Sequence, residues 1–374
     1  MIDLKFFIIT LLLSIISIIF CIKFSEKFNF LNDTNYLKLQ ALHDNNISKI
    51  GGVCILVNIL IICFFDFKVE FFILTLSFFL IGLFDDLKII SKPLTRLILC
   101  SFVLILILYN FEVILKTTGI TTLDILIKKN EFFYIFFITL CFLTIINGSN
   151  FIDGINGNLP LHAIIIFIIL SMINYFNYNE FLFELTLSNA LILIVFLFFN
   201  LRNKIFLGDN GSYVIGAVLG YSFIETSNLN SEISPIVYVI LSSYILFDIY
   251  FSSLRRLISR KSSVIADFNH LHSEFYKFFQ KKNDLILSHI LSSLSINLIY
   301  LILIFPIIFF FDSTHISFQL KYLLFIIAIF TTIYFFIVIA NSKNSFKENI
   351  RLLLINYFIL FLLFLIMQVF KSSR

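Results

Sequence analysis

Charged residues are scarce in this chain. They make up 13% of 374 residues, whereas hydrophobic residues make up 60% and the mean hydropathy is +1.01. That balance excludes an ordinary soluble globular domain and is typical of a membrane protein. The net charge of +4 is small and the basic residues lie mostly between apolar stretches, so they indicate membrane topology and not nucleic-acid binding.

Cysteine is also rare, and its spacing excludes two classes of small domain. The sequence has no CxxC pair and no cysteine–histidine spacing typical of a zinc site or a disulfide framework. The five cysteines all lie in apolar stretches, where free thiols are expected to be buried: Cys21, Cys54, Cys63, Cys100 and Cys141.

The chain lacks any linker that resembles a domain boundary, and no internal repeat is evident. The first apolar run, Leu4–Ile22, has no small-residue cleavage site after it, so we expect it to remain as the first helix. Residues 1–374 are therefore predicted to form a single integral-membrane domain.

Long apolar segments follow one another along the whole chain. Because a helix needs about 20 apolar residues to cross a bilayer, we predict an all-α polytopic protein with about 11–12 transmembrane helices. The expected spans are Leu4–Ile22, Gly51–Phe65, Phe71–Phe84, Leu94–Leu115, Phe132–Ile146, Leu161–Phe176, Phe181–Asn200, Tyr213–Ile224, Ile236–Leu254, Leu285–Phe311, Leu320–Ala340 and Leu352–Phe370.

The basic residues predict how these spans are oriented. Loops after odd-numbered spans hold about 19 lysines and arginines, and loops after even-numbered spans together with the tail hold about 7. Because basic loops remain in the cytoplasm, the odd loops are predicted to be cytoplasmic and the N-terminus to be outside.

Four clusters of charged and amide residues interrupt the apolar sequence. They follow spans three, five, seven and nine, so all four are predicted at the cytoplasmic face. This arrangement indicates an enzyme that works at the lipid–water boundary. The clusters are GLFDDLK (Gly82–Lys88), NGSNFIDGING (Asn147–Gly157), FLGDNGS (Phe206–Ser212) and DFNHLHSEFYK (Asp267–Lys277).

Asp85 and Asp86 end the third span and precede Lys92 and Arg96. Adjacent carboxylates repel each other where water is scarce, unless a cation or a proton lies between them. Oxygen ligands of this kind suit magnesium, which commonly bridges carboxylates and substrate phosphates. The alternative is a solvated helix end with basic side chains that extend into water.

In the second cluster, Asn147, Asn150 and Asp153 recur every third residue and form a polar stripe at the end of span five. Glycines on either side of Asn156 permit a tight turn whose backbone amides could face an anion. Helix capping explains part of this pattern, but it does not readily explain an amide–amide–carboxylate row that emerges from an apolar span.

The third and fourth clusters give weaker signals by themselves. The turn at Asp209 opens span eight and suits phosphate or metal–phosphate binding, although such turns are also common structural connectors. His270 and His272 are two residues apart and would not share a helix face. Asp248 is an acid inside span nine, and Arg255 lies two turns later on the same face.

Taken together, these motifs resemble those of the polyprenyl-phosphate N-acetylhexosamine-1-phosphate transferases, within glycosyltransferase family 4. The resemblance is strongest over residues 40–280 and includes Lys49–Gly52. It implies transfer of a sugar-1-phosphate from a UDP-sugar to undecaprenyl phosphate, with release of UMP and a requirement for Mg²⁺ or Mn²⁺. It also implies a bacterial inner-membrane location and a role in cell-envelope glycan synthesis. A homodimer is a further expectation.

The resemblance assigns roles residue by residue. Asp209, Asp85 and Asp86 match the family's metal-binding and paired aspartates, and together with Asp153 they are the predicted catalytic residues. The predicted substrate-binding residues are Lys49, Lys92, Arg96, Asn150, Asn156, Phe206, Asp248, Arg255, His270 and His272. Phe206 matches an aromatic residue near the uracil.

The chain departs from the family pattern at two positions, and it lacks the long signatures of the pentapeptide translocases, including their extended loop after span one, which places it nearer the envelope-polysaccharide branch. Asn156 replaces the second acid of the usual DGxDG motif, and Ser273 replaces a histidine of the usual loop. An amide still forms hydrogen bonds, so sugar or nucleotide contact survives while ionic roles do not. The loops also lack a long segment that could hold a peptide, which favours UDP-GlcNAc or a deoxy relative over UDP-MurNAc-pentapeptide.

Direct attack by the lipid phosphate is favoured over a covalent aspartyl intermediate, because a phosphate is already an anionic nucleophile.

An ion- or proton-coupled secondary transporter is the main alternative function. Transport sites usually lie near the bilayer midplane within repeated halves, whereas the acids here lie at one mouth and no repeat is seen. A scaffold without activity is a third reading, which Asn156 favours.

Overall fold

The computed structural model of the protein describes residues 4–31, 47–90, 92–111, 115–258, 269–310, 315–341 and 353–364. Within these ranges the chain folds as helices joined by short connections, which confirms the predicted all-α membrane class. Part of the fourth cluster, Asp267 and Phe268, lies outside the described residues, as do several basic residues used for the orientation: Lys38, Arg260, Lys261, Lys343, Lys347, Arg351, Lys371 and Arg374.

Fifteen helices are described. The first eight are α1 (Leu4–Phe28), α2 (Gly51–Phe65), α3 (Val69–Asp86), α4 (Pro93–Asn110), α5 (Thr121–Lys129), α6 (Glu131–Ile152), α7 (Asn158–Phe176) and α8 (Glu180–Asn200). The others are α9 (Gly208–Leu229), α10 (Pro235–Leu241), α11 (Ser243–Ile258), α12 (Leu271–Gln280), α13 (Leu285–Phe310), α14 (Ile316–Asn341) and α15 (Leu353–Phe364).

Each of the twelve predicted spans corresponds to a helix or, for span nine, to the bent pair α10–α11. Among the described residues, seven helices are long and apolar enough to cross a membrane individually, or eight if the bent pair counts as one span. This number is lower than the expected 11–12 because some helices are short or carry charge. Helix α2 has 15 residues, and α3 carries one acid at its start and two at its end.

Helix α9 lies at the centre of the bundle. Nearly every residue from Asn210 to Ile224 is buried, and the helix contacts α2, α3, α6, α7 and α8. Close approach of α3 requires Gly82, because a Cβ there would collide with the backbone oxygen of Asp209 and lie 2.5 Å from the Cα of Asn210. The central helix therefore begins in direct contact with the acidic end of α3.

The break between α10 and α11 bends the chain by 66°. A break leaves backbone carbonyls without helical partners, which is costly where water is scarce. Tyr300 of α13 is buried and donates a hydrogen bond of 2.5 Å to the carbonyl oxygen of Leu241, the last residue of α10. The bend is thus stabilised from a neighbouring helix, and it directs α11 toward the end of the bundle where the four clusters lie.

The cysteines follow the sequence prediction with one correction. All five are free thiols, and Cys21, Cys54, Cys63 and Cys100 are buried. Cys141 was expected to be buried as well but is exposed on the outside of α6. An apolar thiol on the outer face of a membrane helix contacts lipid and not water, so hydropathy alone does not distinguish the two positions.

Candidate active site

Three of the four clusters meet where α3 and α6 end and α9 begins. The link to the segment before α2 is made by backbone hydrogen bonds. The amide of Phe206 donates to the Ser48 carbonyl at 2.8 Å, and the amide of Gly51 donates to the Phe206 carbonyl at 2.9 Å. These bonds place Lys49 beside the first turn of α9.

Asp86 is fixed by the start of α9. Its Oδ2 accepts hydrogen bonds from the backbone amide of Asn210 at 2.9 Å and from the side-chain amide of the same residue at 2.5 Å. The Asn210 side chain also donates to the Lys49 carbonyl at 2.9 Å. The other carboxylate oxygen of Asp86, Oδ1, is buried without a hydrogen-bond partner among the described residues. One oxygen of this acid is therefore structural, and the other is available to a ligand.

Asp209 lies between groups from α4 and α6. Asn150 donates to its Oδ1 at 2.5 Å and to the hydroxyl of Ser212 at 3.1 Å. Arg96 forms an ion pair with Asp85 and lies 3.8 Å from Asp209 Oδ2. One guanidinium therefore bridges the acids of the first and third clusters.

The centre has more acidic than basic side chains. Asp85, Asp86, Asp153 and Asp209 are opposed by two neighbouring cations, Arg96 and Lys49. Burial, and next the nearby Asp209 carboxylate, raise the pKa of Asp85 to about 7. The pKa of Asp86 is raised to about 6, again by burial first and then by Asp209. Burial raises the pKa of Asp153 well above its usual range, with further contributions from Asp209 and Asp86.

This charge imbalance suits a divalent cation. No group of three carboxylate, imidazole or thiol side chains within the described part of the chain is arranged to hold a metal ion. Magnesium, however, commonly uses one or two carboxylates and completes its shell with water and substrate phosphate oxygens. The unpartnered oxygen of Asp86 and the carboxylate of Asp209 fit that mode of binding.

The histidine segment packs against the second cluster. The ring of His270 lies 5.8 Å from that of Phe151, and its Nδ1 is 2.7 Å from Asp248 Oδ2. His272 is buried beneath Gly154, so close that a Cβ on this glycine would collide with its Nε2. Burial, and next the neighbouring His270, lower the pKa of His272 to about 3, so this ring is neutral. His272 therefore packs under the loop that carries Asp153.

Arg255 and Asp248 are joined through this same segment. Arg255 donates to the backbone carbonyl of Asn269 and, at 2.7 Å, to the hydroxyl of Tyr334. Asp248 contacts His270, the residue that follows Asn269. Asp248 and Arg255 of α11 therefore hold two successive residues of one loop. The sequence predicted both as substrate-binding residues, and their described contacts are with this loop and with α14.

Asn156, Lys92 and Phe206 are three further predicted substrate-binding residues. Asn156 is buried, and its side-chain amide donates to the side-chain oxygen of Asn203, while its backbone amide donates to His289 Nδ1 at 3.3 Å. Lys92 is exposed immediately before α4. Phe206 is half-buried, and its backbone joins the segments before α2 and α9.

One residue of the site, Asn210, was not predicted from the sequence. Asn210 is fully buried and contacts both Asp86 and Lys49. It lies inside the FLGDNGS motif, so its position could have been noticed. Its function as the link between α2, α3 and α9 depends on long-range contacts that its spacing does not reveal.

The chain is similar to known proteins over the region that contains the first three clusters. A family model described as Glycosyl transferase family 4 matches residues 69–227, the part of the chain that holds the first three clusters.

Two kinds of curated relative match the chain, and both are bacterial. An undecaprenyl-phosphate alpha-N-acetylglucosaminyl 1-phosphate transferase of Thermotoga maritima is 28% identical over 71% of this chain and 79% of its own length. The protein of the same name from Escherichia coli K12 is 25% identical over 68% of this chain and 71% of its own length. A phospho-N-acetylmuramoyl-pentapeptide-transferase of Dictyoglomus turgidum is 33% identical, but the match covers only 45% of this chain and 56% of the relative.

Proposed function

We propose that the chain is a transferase of the glycosyl transferase family 4 type, which transfers a HexNAc-1-phosphate from a UDP-sugar to undecaprenyl phosphate and releases UMP. The observation that carries the proposal is the convergence of Asp85, Asp86 and Asp209 with Arg96 at one end of a membrane bundle. A site at the end of a membrane bundle would be within reach of both a water-soluble donor and a lipid acceptor.

The reaction joins two anions, so the main electrostatic barrier is their repulsion. A lipid phosphate oxygen attacks the β-phosphorus of the UDP-sugar, the bond from that phosphorus to the bridging oxygen breaks, and UMP leaves with this oxygen. Arg96 lies between Asp85 and Asp209 and would offset charge on the phosphates as they approach. The lipid phosphate needs no general base, so the reaction proceeds by direct attack.

The metal assignment belongs to the same proposal. Asp209 and Asp86, with Asp85 beside them, would hold Mg²⁺, or Mn²⁺ in its place. A bound divalent cation supplies Lewis-acid stabilisation of the charge that develops on the phosphate oxygens. The protein's own contribution is to fix these carboxylates, through Asn210 for Asp86 and through Asn150 for Asp209.

The donor is proposed to be UDP-GlcNAc or a deoxy relative, and not UDP-MurNAc-pentapeptide. The two N-acetylglucosaminyl transferases match about 70% of the chain, whereas the pentapeptide transferase matches less than half of it. Phe206, half-buried at the start of α9, would stack on the uracil ring of either donor. The remaining partners proposed are the bilayer of the bacterial inner membrane, with the site on its cytoplasmic face, and a second copy of the chain.

Purified protein in detergent or nanodiscs tests this function directly. Release of labelled UMP is measured with a panel of UDP-HexNAc donors and with UDP-MurNAc-pentapeptide, each with and without undecaprenyl phosphate. We expect lipid-dependent release from a UDP-HexNAc. Lipid-dependent release only from UDP-MurNAc-pentapeptide would disprove the proposed donor. Absence of lipid-dependent release with every donor would disprove the proposed transferase activity.

A further inference from the structure

Asp248 is buried in a position from which it contacts the histidine segment. The residue is 2% exposed, and its Oδ2 lies 2.7 Å from Nδ1 of His270. The hydroxyl of Ser252, one turn further along α11, lies 3.2 Å from the same ring nitrogen. Both contacts engage one edge of the imidazole, so Nδ1 faces α11 and Nε2 faces away from it.

Hydrogen bonds from other residues also fix the backbone on either side of His270. Arg255 donates to the carbonyl of Asn269, the preceding residue, and Lys277 donates to the Asn269 side chain at 3.2 Å. Glu274 is fixed in turn by Asn341 of α14, whose side chain donates to the Glu274 carbonyl at 2.9 Å. The segment therefore has fixed contacts on both sides, and its histidine has little freedom to turn.

Two other rings lie next to the His270 ring. His272 stacks on it with ring centroids 5.3 Å apart and planes 8° apart, and Phe151 lies at 5.8 Å. Phe151 directly follows Asn150, which donates to Asp209. The imidazole is thus positioned beside the end of α6 that carries the carboxylate centre, with two ring neighbours and with its Nδ1 edge engaged by α11.

We infer that Asp248 is a positioning residue that fixes the orientation and the tautomer of His270, and that it does not touch substrate itself. A carboxylate that accepts from Nδ1 keeps the proton of a neutral imidazole on that nitrogen and leaves Nε2 for the ligand. This inference rests on the proposed function only in that the ligand is the phosphate-bearing substrate. It replaces the substrate-binding role that the sequence assigned to Asp248.

The first test measures the tautomer of His270 and does not require catalytic activity. The protein has six histidines, so the His270 signals in a spectrum of ring-¹⁵N-histidine-labelled protein are identified by their loss in His270→Gln. We expect wild-type His270 to carry its proton on Nδ1. In Asp248→Asn the side-chain amide can donate to Nδ1, and the proton should move to Nε2. A wild-type ring protonated only on Nε2 would overturn the inference.

The second test is a double-mutant cycle on turnover. Asp248→Asn should lower kcat by about 10- to 100-fold while the KM of the UDP-sugar changes less than about threefold. In the His270→Gln background, the same change should cost no more than about twofold, because a residue that acts only through His270 has nothing left to position. Multiplicative losses would show that Asp248 acts independently and would overturn the inference.

Asp284→Asn is the matched control for charge removal. Asp284 is exposed near the same segment and accepts from the amide of Leu287 at 2.8 Å, a capping role that asparagine can also fill. We expect wild-type turnover from this variant. If no donor supports transfer at all, the proposed function fails while the tautomer measurement still decides the role of Asp248.

Discussion

At the scale of single residues, neighbouring acids in this site have different functions. Asp86 uses one carboxylate oxygen to hold the start of α9 and leaves the other without a protein partner. Asp209 is held by an amide and faces a guanidinium. Asp248, two per cent exposed, contacts a histidine. The same side chain is thus structural, ligand-facing or positioning according to its immediate partners.

Replacement of Asp209 by asparagine tests the metal and phosphate assignment. An amide is a far poorer magnesium ligand than a carboxylate, so transfer should fall by about 10³-fold or more, which corresponds to about 4 kcal/mol of lost transition-state stabilisation. The measurement is UMP release by purified Asp209→Asn protein with an unchanged thermal midpoint. Asp66→Asn, an exposed acid at the opposite end of the bundle, is the control. Near-wild-type activity of Asp209→Asn would contradict the assignment.

Asn156→Asp tests whether the departure from the family pattern matters. Asn156 is buried and donates to the side chain of Asn203. If Asn203 rotates its amide, it can donate to the new carboxylate. We therefore expect turnover within about threefold of wild type and a thermal midpoint lower by about 2–4 °C, as for a loss of about 1 kcal/mol. Loss of turnover at an unchanged midpoint would show that the neutral amide is required for the reaction.

At the scale of secondary structure, the site depends on helices that meet end to end. The C-terminal end of α3 contacts the N-terminal turn of α9 because Gly82 has no side chain. Backbone bonds between the segments before α2 and α9 place Lys49 at the same point. Helix packing therefore brings the acids together, and Arg96 bridges Asp85 and Asp209.

Gly82→Ala tests that packing. The added Cβ would collide with backbone atoms of Asp209 and Asn210, which no rotamer change can relieve. Helices α3 and α9 must separate, so Asp86 should lose its bonds to Asn210. We expect at least a tenfold loss of turnover and a destabilisation of about 1–3 kcal/mol, measured as UMP release and thermal midpoint. Leu80→Ala, on an exposed face of the same helix, should leave turnover unchanged. Wild-type turnover in Gly82→Ala would disprove the close-packing argument.

At the scale of the whole molecule, the four clusters share one end of the bundle although they lie far apart in sequence. Loops at the opposite end hold different groups, among them the exposed Tyr178 between α7 and α8. The chain therefore has two chemically distinct ends. The count of basic residues predicts that the end with the clusters is cytoplasmic.

Cysteine labelling tests that orientation. In a background without the five native cysteines, Tyr178→Cys should react with a membrane-impermeant maleimide in intact cells, because Tyr178 is 91% exposed at the end opposite the clusters. Lys204→Cys, exposed in the loop before α9, should react only after the membrane is permeabilised. The reverse pattern would place the clusters outside the cell and would rule out a cytoplasmic UDP-sugar as donor.

The twelve apolar spans could be predicted from hydropathy alone, whereas the short helices α5 and α12 were not predicted. Hydrophobic length marked each described span, and α2 was predicted with its observed limits, Gly51–Phe65. Polar residues at the ends of apolar segments are conspicuous, so Asp85, Asp86, Asp153 and Asp209 were predicted as one group. The placement of these motifs at a single end followed from counting helices, since each crossing reverses the chain.

The contacts of each polar residue depend on how the helices pack, which the sequence does not reveal. The partnership of Asp248 with His270, the burial of Asn156 against Asn203, and the position of His272 beneath Gly154 all join segments distant in sequence. Periodicity gives the face of a helix on which a residue lies, but not which helix packs against that face. Membrane helices are apolar almost all round, so their packing depends on small residues and buried polar contacts that hydropathy does not reveal.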